Sequence, residues 1–191
     1  MTAAFQHMVT LLSFVLALGI SHQLFTVVEL VRAGDRVKWS WVHGIWMFNC
    51  FIAVATWWIG IYDFHNIAEW PVGSILYNFA AVLGVFLAIA FVCPRIPAEG
   101  DLDLWEFHLA HCRQYIGFTV ANVLIGAGDA LYYGYAYGVA RQGLQTVIMV
   151  ALALVAGIGL LHVGWRIQLW AALGVTAIFF VFLFVGDPVL A

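Results

Sequence analysis

The chain has 191 residues, 65% of them hydrophobic and only 9% charged, with a formal net charge of −3. Soluble domains carry about 25% charged residues, so this chain lacks the polar surface to coat a water-soluble globule, and its solvent is lipid. With seven basic residues against ten acidic ones, a nucleic-acid partner is excluded, because that binding rests on clustered Lys and Arg.

Stretches free of Asp, Glu, Lys and Arg cover 1–28, 39–62, 70–94, 142–165 and 167–186. Most match the roughly 20 apolar residues that a spanning helix needs. The sequence predicts an all-α integral membrane protein, a compact single-domain bundle of six transmembrane helices over residues 1–191. The helices fall near 8–31, 39–62, 72–92, 115–137, 143–161 and 167–185, with a short interfacial amphipathic helix near 104–113.

The first apolar run has no Lys or Arg before it. It lacks the basic start of a secretory signal and reads as a retained first helix. His22, Thr26 and Glu29 lie at i, i+4 and i+7 on one face of it. Ionisable groups at membrane depth are expensive and mark function by default. Helix two adds Asn49 and Thr56, and helix three adds Ser74 and Asn78. The pair Trp57–Trp58 is expected in the aromatic belt at the headgroups, with the lining of an aromatic ligand pocket as the alternative, and Trp70 is also expected on the outer side.

Between helices three and four, "DLDLWEFHLAHCRQY" at 101–115 packs acids, histidines and a cysteine together. Asp103 followed by Glu106 resembles a capping box with Asp in place of Ser or Thr. Leu102, Trp105, Leu109, Cys112 and Ile116 share a narrow face, predicted to lie on lipid at the inner interface. His108 and His111 share a flank, but a metal site needs three or four ligands, and a second helix would have to complete it. No metal site is therefore assigned, and no cofactor is predicted.

Helix four carries Asn122, Gly126 and Asp129 in the same i, i+4, i+7 pattern as helix one. Gly126, Ala130, Gly134 and Gly138 repeat every four residues, a small-residue row suited to close helix packing. Matching stripes on helices one and four suggest a 3+3 inverted repeat, an architecture common among transporters. Loops one, three and five hold six of the seven basic residues, with Arg141 alone on the other side. The positive-inside rule then puts those loops in the cytoplasm and both termini outside, which suits a bacterial inner membrane. Cys50, Cys93 and Cys112 form no CxxC and suggest no disulfide framework.

There is no Gly-rich phosphate loop with its Lys and no GxSxG elbow, so the chain is not expected to be an enzyme of those kinds. The leading expectation is a transporter or channel-type protein for a small solute, proton or cation. Its path would use His22, Thr26, Glu29, Asn49, Asn78, Asn122 and Asp129. A haem- or metal-bearing redox protein using His22, His43, His108 or His111 is one alternative. The depths of His22 and His43 differ by roughly 7 Å at 1.5 Å per residue, which argues against a haem between them. The other alternative is a non-catalytic subunit of a larger membrane complex, with lipid, further copies of the chain or other membrane subunits as its partners.

Overall fold

The computed structural model describes residues 3–62, 64–65, 67, 69–138 and 142–185. Six helices account for nearly all of them: α1 (Ala3–Ala33), α2 (Trp41–Tyr62), α3 (Val72–Val92), α4 (Leu104–Tyr137), α5 (Gln142–Leu161) and α6 (Trp165–Val185). All six are long and apolar enough to cross a membrane. The protein is a polytopic, all-α integral membrane protein.

Local chemistry sets the helix ends. Pro71 precedes the first residue of α3, where a missing N–H costs nothing. Cys93 is extended (φ −87°, ψ 108°) and ends α3, as expected of a residue before proline. Asp103 caps α4, its carboxylate accepting from the Trp105 and Glu106 N–H groups at 2.8 and 3.2 Å. The predicted cap is therefore present.

The segment near 104–113, expected to run into helix four, does so as part of a single helix. No Gly or Pro separates residues 104 and 116, and α4 runs on unbroken for 34 residues. At 1.5 Å per residue that is about 51 Å, against about 30 Å of bilayer hydrocarbon. Cys112, expected toward lipid, is instead buried at 1% exposure, because the continuing helix turns this face into the bundle.

At one end of the bundle, two loops are fastened together. Val37–Lys38 (β1) pairs in parallel with Leu102–Asp103 (β2). The Arg36 guanidinium donates to the carbonyls of Pro97 at 2.6 Å and Gly100 at 3.0 Å. Lys38 Nζ lies 2.6 Å from Asp103 Oδ2. That pairing raises the Lys38 pKa and holds the Asp103 carboxyl below its ordinary value, with the capped N–H groups adding to the second effect. This clasp sets the starts of α2 and α4 side by side, at what we term the basic end. Arg141, the basic residue of the opposite side, lies outside the described residues.

Five helices form a closed ring. Consecutive members of the series α2, α3, α4, α5 and α6 pack on each other, and α6 returns to pack on α2. Asn49 locks that closure, donating to the Ala172 carbonyl at 2.9 Å and accepting from Thr176 Oγ1 at 2.6 Å. Helix α1 packs chiefly on α3 and less on α2, outside the ring. The two halves are thus not equivalent: α4 belongs to the ring while α1 does not, so a symmetric 3+3 repeat is not what the packing displays.

Candidate functional site

The ring helices line a partly open chamber of about 80 Å³, with residues from α2, α3, α4, α5 and α6. Most of its wall is apolar, including Val85, Ile148, Leu152, Phe179 and Phe182. Cys50, Thr56, Thr119 and Asn122 supply the polar groups. Their spacing follows from helix geometry: 50, 53, 56 and 57 on α2, and 119, 122, 123 and 126 on α4, each recur at three or four residues and so share a face. The Asn122 Oδ1 atom is buried without a hydrogen-bond partner among the described residues. It stands opposite Gly84 of α3, where an added Cβ would lie 3.6 Å away. Buried amide oxygens are normally paired, so this one is an acceptor held ready at the chamber wall.

Toward the basic end the chamber is closed by a polar aromatic cluster. His43 and Trp46 come from the first turns of α2, His108 and Tyr115 from α4, and Gln168 from the first turn of α6; all five are fully enclosed at 0% exposure. The Tyr115 hydroxyl is hydrogen-bonded to His108 Nδ1. Trp105 stacks on the His108 ring at 5.2 Å, and Phe107 meets His43 edge-on at 5.3 Å. Gln168 Nε2 donates to the Gly159 and His162 carbonyls at 2.5 and 2.6 Å, tying α6 to the end of α5. The Gln168 side chain also approaches His108, and the Val92 carbonyl approaches His43. Yet among the described residues no well-formed hydrogen bond reaches His43 Nδ1, His43 Nε2, His108 Nε2, Trp46 Nε1 or Gln168 Oε1. The two imidazole centroids are 6.3 Å apart.

At the far end the ring is filled by aromatic side chains. Tyr133 of α4 packs on Phe64 at 4.5 Å and on Trp70 at 5.7 Å between ring centroids. The Trp57–Trp58 pair is divided: Trp57 lines the chamber, while Trp58 is half exposed on the outside. Trp70 is buried as well. The aromatic belt expected on this side is therefore partly turned inward.

The polar stripes read from the sequence do not converge. On α1, His22 and Glu29 are exposed and only Thr26 is buried, its hydroxyl spent on the His22 carbonyl at 3.0 Å. The inward polar residue of α1 is Gln23, which donates to the Met47 carbonyl at 2.5 Å. Asn49 is used in ring closure, and Asn78 donates to the Ser74 carbonyl within its own helix at 2.9 Å. Of the expected path residues, Asn122 alone reaches the chamber. Asp129 stands outside it, in a shallow groove with Ser74 and Tyr77 of α3 and with Tyr132.

In the small-residue row, Gly126 admits Met149 of α5, whose Sδ would lie 3.3 Å from an added Cβ, and Ala130 is buried at 2%. Gly134 is half-buried. Gly138 does not pack: it ends α4 in the left-handed conformation (φ 63°) with open space around it, a backbone state that favours glycine.

His43 and His108 are both among the histidines of the redox alternative read from the sequence, which does not set the two together; the structure places their ring centroids 6.3 Å apart. His108 had been placed on an interfacial helix, whereas the continuous α4 carries it into the ring. Tyr115 packs against this pair, its ring centroid 6.3 Å from that of His43 and 6.1 Å from that of Trp46. Among the described residues no group of three or more His, Cys, Asp or Glu side chains gathers as a metal site. Comparison with protein families, curated proteins and solved structures finds no match to this chain.

Proposed function

We propose that the chain is a small-solute permeation protein whose path runs through the five-helix ring, with the His43–His108–Tyr115 cluster closing one mouth. The observation that carries this reading is the chamber itself, with the unpartnered Asn122 oxygen on its wall. Its lining favours an uncharged solute. No Asp, Glu, Lys or Arg among the described residues faces it, and hard cations such as Ca²⁺ need six or more oxygen ligands, while an unpaired charge in such a place is costly. A small body with one or two hydrogen-bonding groups matches four polar groups set in an apolar wall.

In this reading the basic end faces the cytoplasm by the positive-inside rule, in a bacterial inner membrane with both termini outside. The first turns of α4 then extend past the hydrocarbon to headgroup level, as an interfacial segment continuous with the spanning helix.

Cys50 provides the test, because its thiol lines the chamber and is otherwise buried. In a Cys93→Ala, Cys112→Ala background in liposomes, 2-hydroxyethyl methanethiosulfonate, a small neutral thiol reagent, is expected to modify Cys50. Asn122→Phe, which fills the chamber, should slow the reaction at least tenfold, and Asp129→Asn should leave it unchanged. A Cys50 as inert as a sealed core thiol would refute the path. Dependence on Asp129 instead of Asn122 would return it to the stripes of helices one and four.

A further inference from the structure

We infer that His43 and His108 together hold one monovalent d¹⁰ metal ion of the Cu(I) class, in two-coordinate geometry between α2 and α4. This inference does not rest on the permeation reading. Its ground is the cluster of buried nitrogens with no well-formed hydrogen bond. His43 and His108 are at 0% exposure, and among the described residues the Val92 carbonyl approaches His43 and the Gln168 side chain approaches His108, but neither makes a well-formed hydrogen bond to a His43 nitrogen or to His108 Nε2. Buried polar atoms left this way call for an occupant or a chemical role.

The spacing suits an ion between the rings. Two metal–nitrogen bonds of about 2.0 Å, with about 1.1 Å from each nitrogen to its ring centre, put linear bis-imidazole centroids about 6.2 Å apart. The observed separation is 6.3 Å.

The surroundings select the ion. No third His, Cys, Asp or Glu joins the pair among the described residues, so four-coordinate zinc has too few ligands and a hard cation has no oxygen cage. Imidazole is a good copper ligand, and a single positive charge is less costly to bury than two. Trp105 stacked on His108 and Phe107 edge-on to His43 shield that charge from water and lipid. Tyr115 completes the arrangement from outside. The Tyr115 hydroxyl is hydrogen-bonded to His108 Nδ1; in the tautomer that places the proton on Nδ1, Nε2 keeps its lone pair for the metal, the usual division of labour in a ligating histidine. Binding needs no redox step and releases no proton, because both imidazoles enter neutral.

The test is anaerobic titration of detergent-purified protein with Cu(I) buffered by bicinchoninate, repeated with Ag(I) as a redox-inert probe. One equivalent is expected to bind. His43→Ala and His108→Ala should each lower the affinity at least a hundredfold, and Tyr115→Phe about tenfold. His22→Ala, on the exposed face of α1, should change nothing. The three buried thiols are the competing ligands, so the Cys50, Cys93 and Cys112 triple-Ala variant must retain the site. X-ray absorption of loaded wild-type protein checks the geometry without any variant, and two nitrogen scatterers in a linear arrangement are expected. Sulfur scatterers, loss of binding in the Cys-free protein, or the lack of stoichiometric binding would each overturn the assignment.

Discussion

Replacing Asp103 separates two effects that meet on one carboxylate. One oxygen accepts from the Trp105 and Glu106 N–H groups at 2.8 and 3.2 Å, while the other meets Lys38 Nζ at 2.6 Å. Capping substitutions of this kind cost about 1 kcal/mol. The Lys38 side chain is 79% exposed, so water and salt screen its charge, and the cap should dominate. About 1 kcal/mol is about a fivefold change in a local opening equilibrium. Hydrogen exchange of the segment 102–110, followed by mass spectrometry in detergent, reads that opening. Asp103→Ala should exchange about fivefold faster there. Asp103→Asn should stay close to wild type, because Asn caps as well as Asp, and Lys38→Met should also stay close. Acid supplies a second axis. Lys38 and the capped N–H groups lower the folded-state pKa of Asp103, so its contribution is full above the unfolded value of about 3.9 and is lost as pH falls through the folded value. Protection in wild type should therefore fall in acid, with no such loss in Asp103→Asn. Equal effects of Lys38→Met and Asp103→Ala, or no effect of either, would refute the capping argument.

Asn49→Leu removes both polar contacts between α2 and α6 and should cost about 1 kcal/mol in reversible SDS unfolding, given about 0.6 kcal/mol for a typical interhelical hydrogen bond in a membrane; an unchanged midpoint would mean that the ring closes by packing alone. Gly174→Val puts a side chain where an added Cβ would lie only 2.9 Å from Val155 Cγ1, and overpacking of this kind costs about 1–3 kcal/mol. Gly157→Ala meets open space and should be neutral or stabilising in the same assay, so similar losses at both glycines would contradict the α5–α6 contact. Arg36→Met releases the carbonyls of Pro97 and Gly100 and should raise the rate of proteolytic cleavage within 95–101, and an unaltered rate would show that the β1–β2 pairing suffices.

Helix number and extent were legible because they rest on apolar length. Residues 72–92 were read as a helix, and α3 is Val72–Val92. Orientation of the helix faces was much less legible. In water an apolar stripe marks the interior, but in a bilayer apolar residues face lipid and core alike. On α1 the buried positions Phe5, Met8, Leu12, Leu16, Gln23, Thr26 and Leu30 recur at spacings of three, four or seven. That seam contains Gln23 and not His22. The more conspicuous titratable residue drew the reading one position off, which on a helix is about 100° away from the core. At the basic end, the cap at Asp103 with no Gly or Pro before helix four marked a segment running into helix four, but nothing in it marked that the face carrying His108 and Cys112 turns into the bundle. The Arg36 clasp and the β1–β2 pairing left no sequence signature, since single guanidinium-to-carbonyl contacts have none.

Ring closure also orders events in time. The bonds from Asn49 reach Ala172 and Thr176, 123 and 127 residues further along the chain. At about 5–20 residues per second, a translating ribosome needs about 6–25 s to bridge that interval. Throughout it, α2 sits in or beside the membrane with Asn49, and the Cys50 side of its face, unpaired. The nascent chain therefore passes through a stage of several seconds with a polar amide awaiting its partner. Any factor that shelters incomplete membrane proteins would find its substrate there, and delivery of α6 would be the event that releases it.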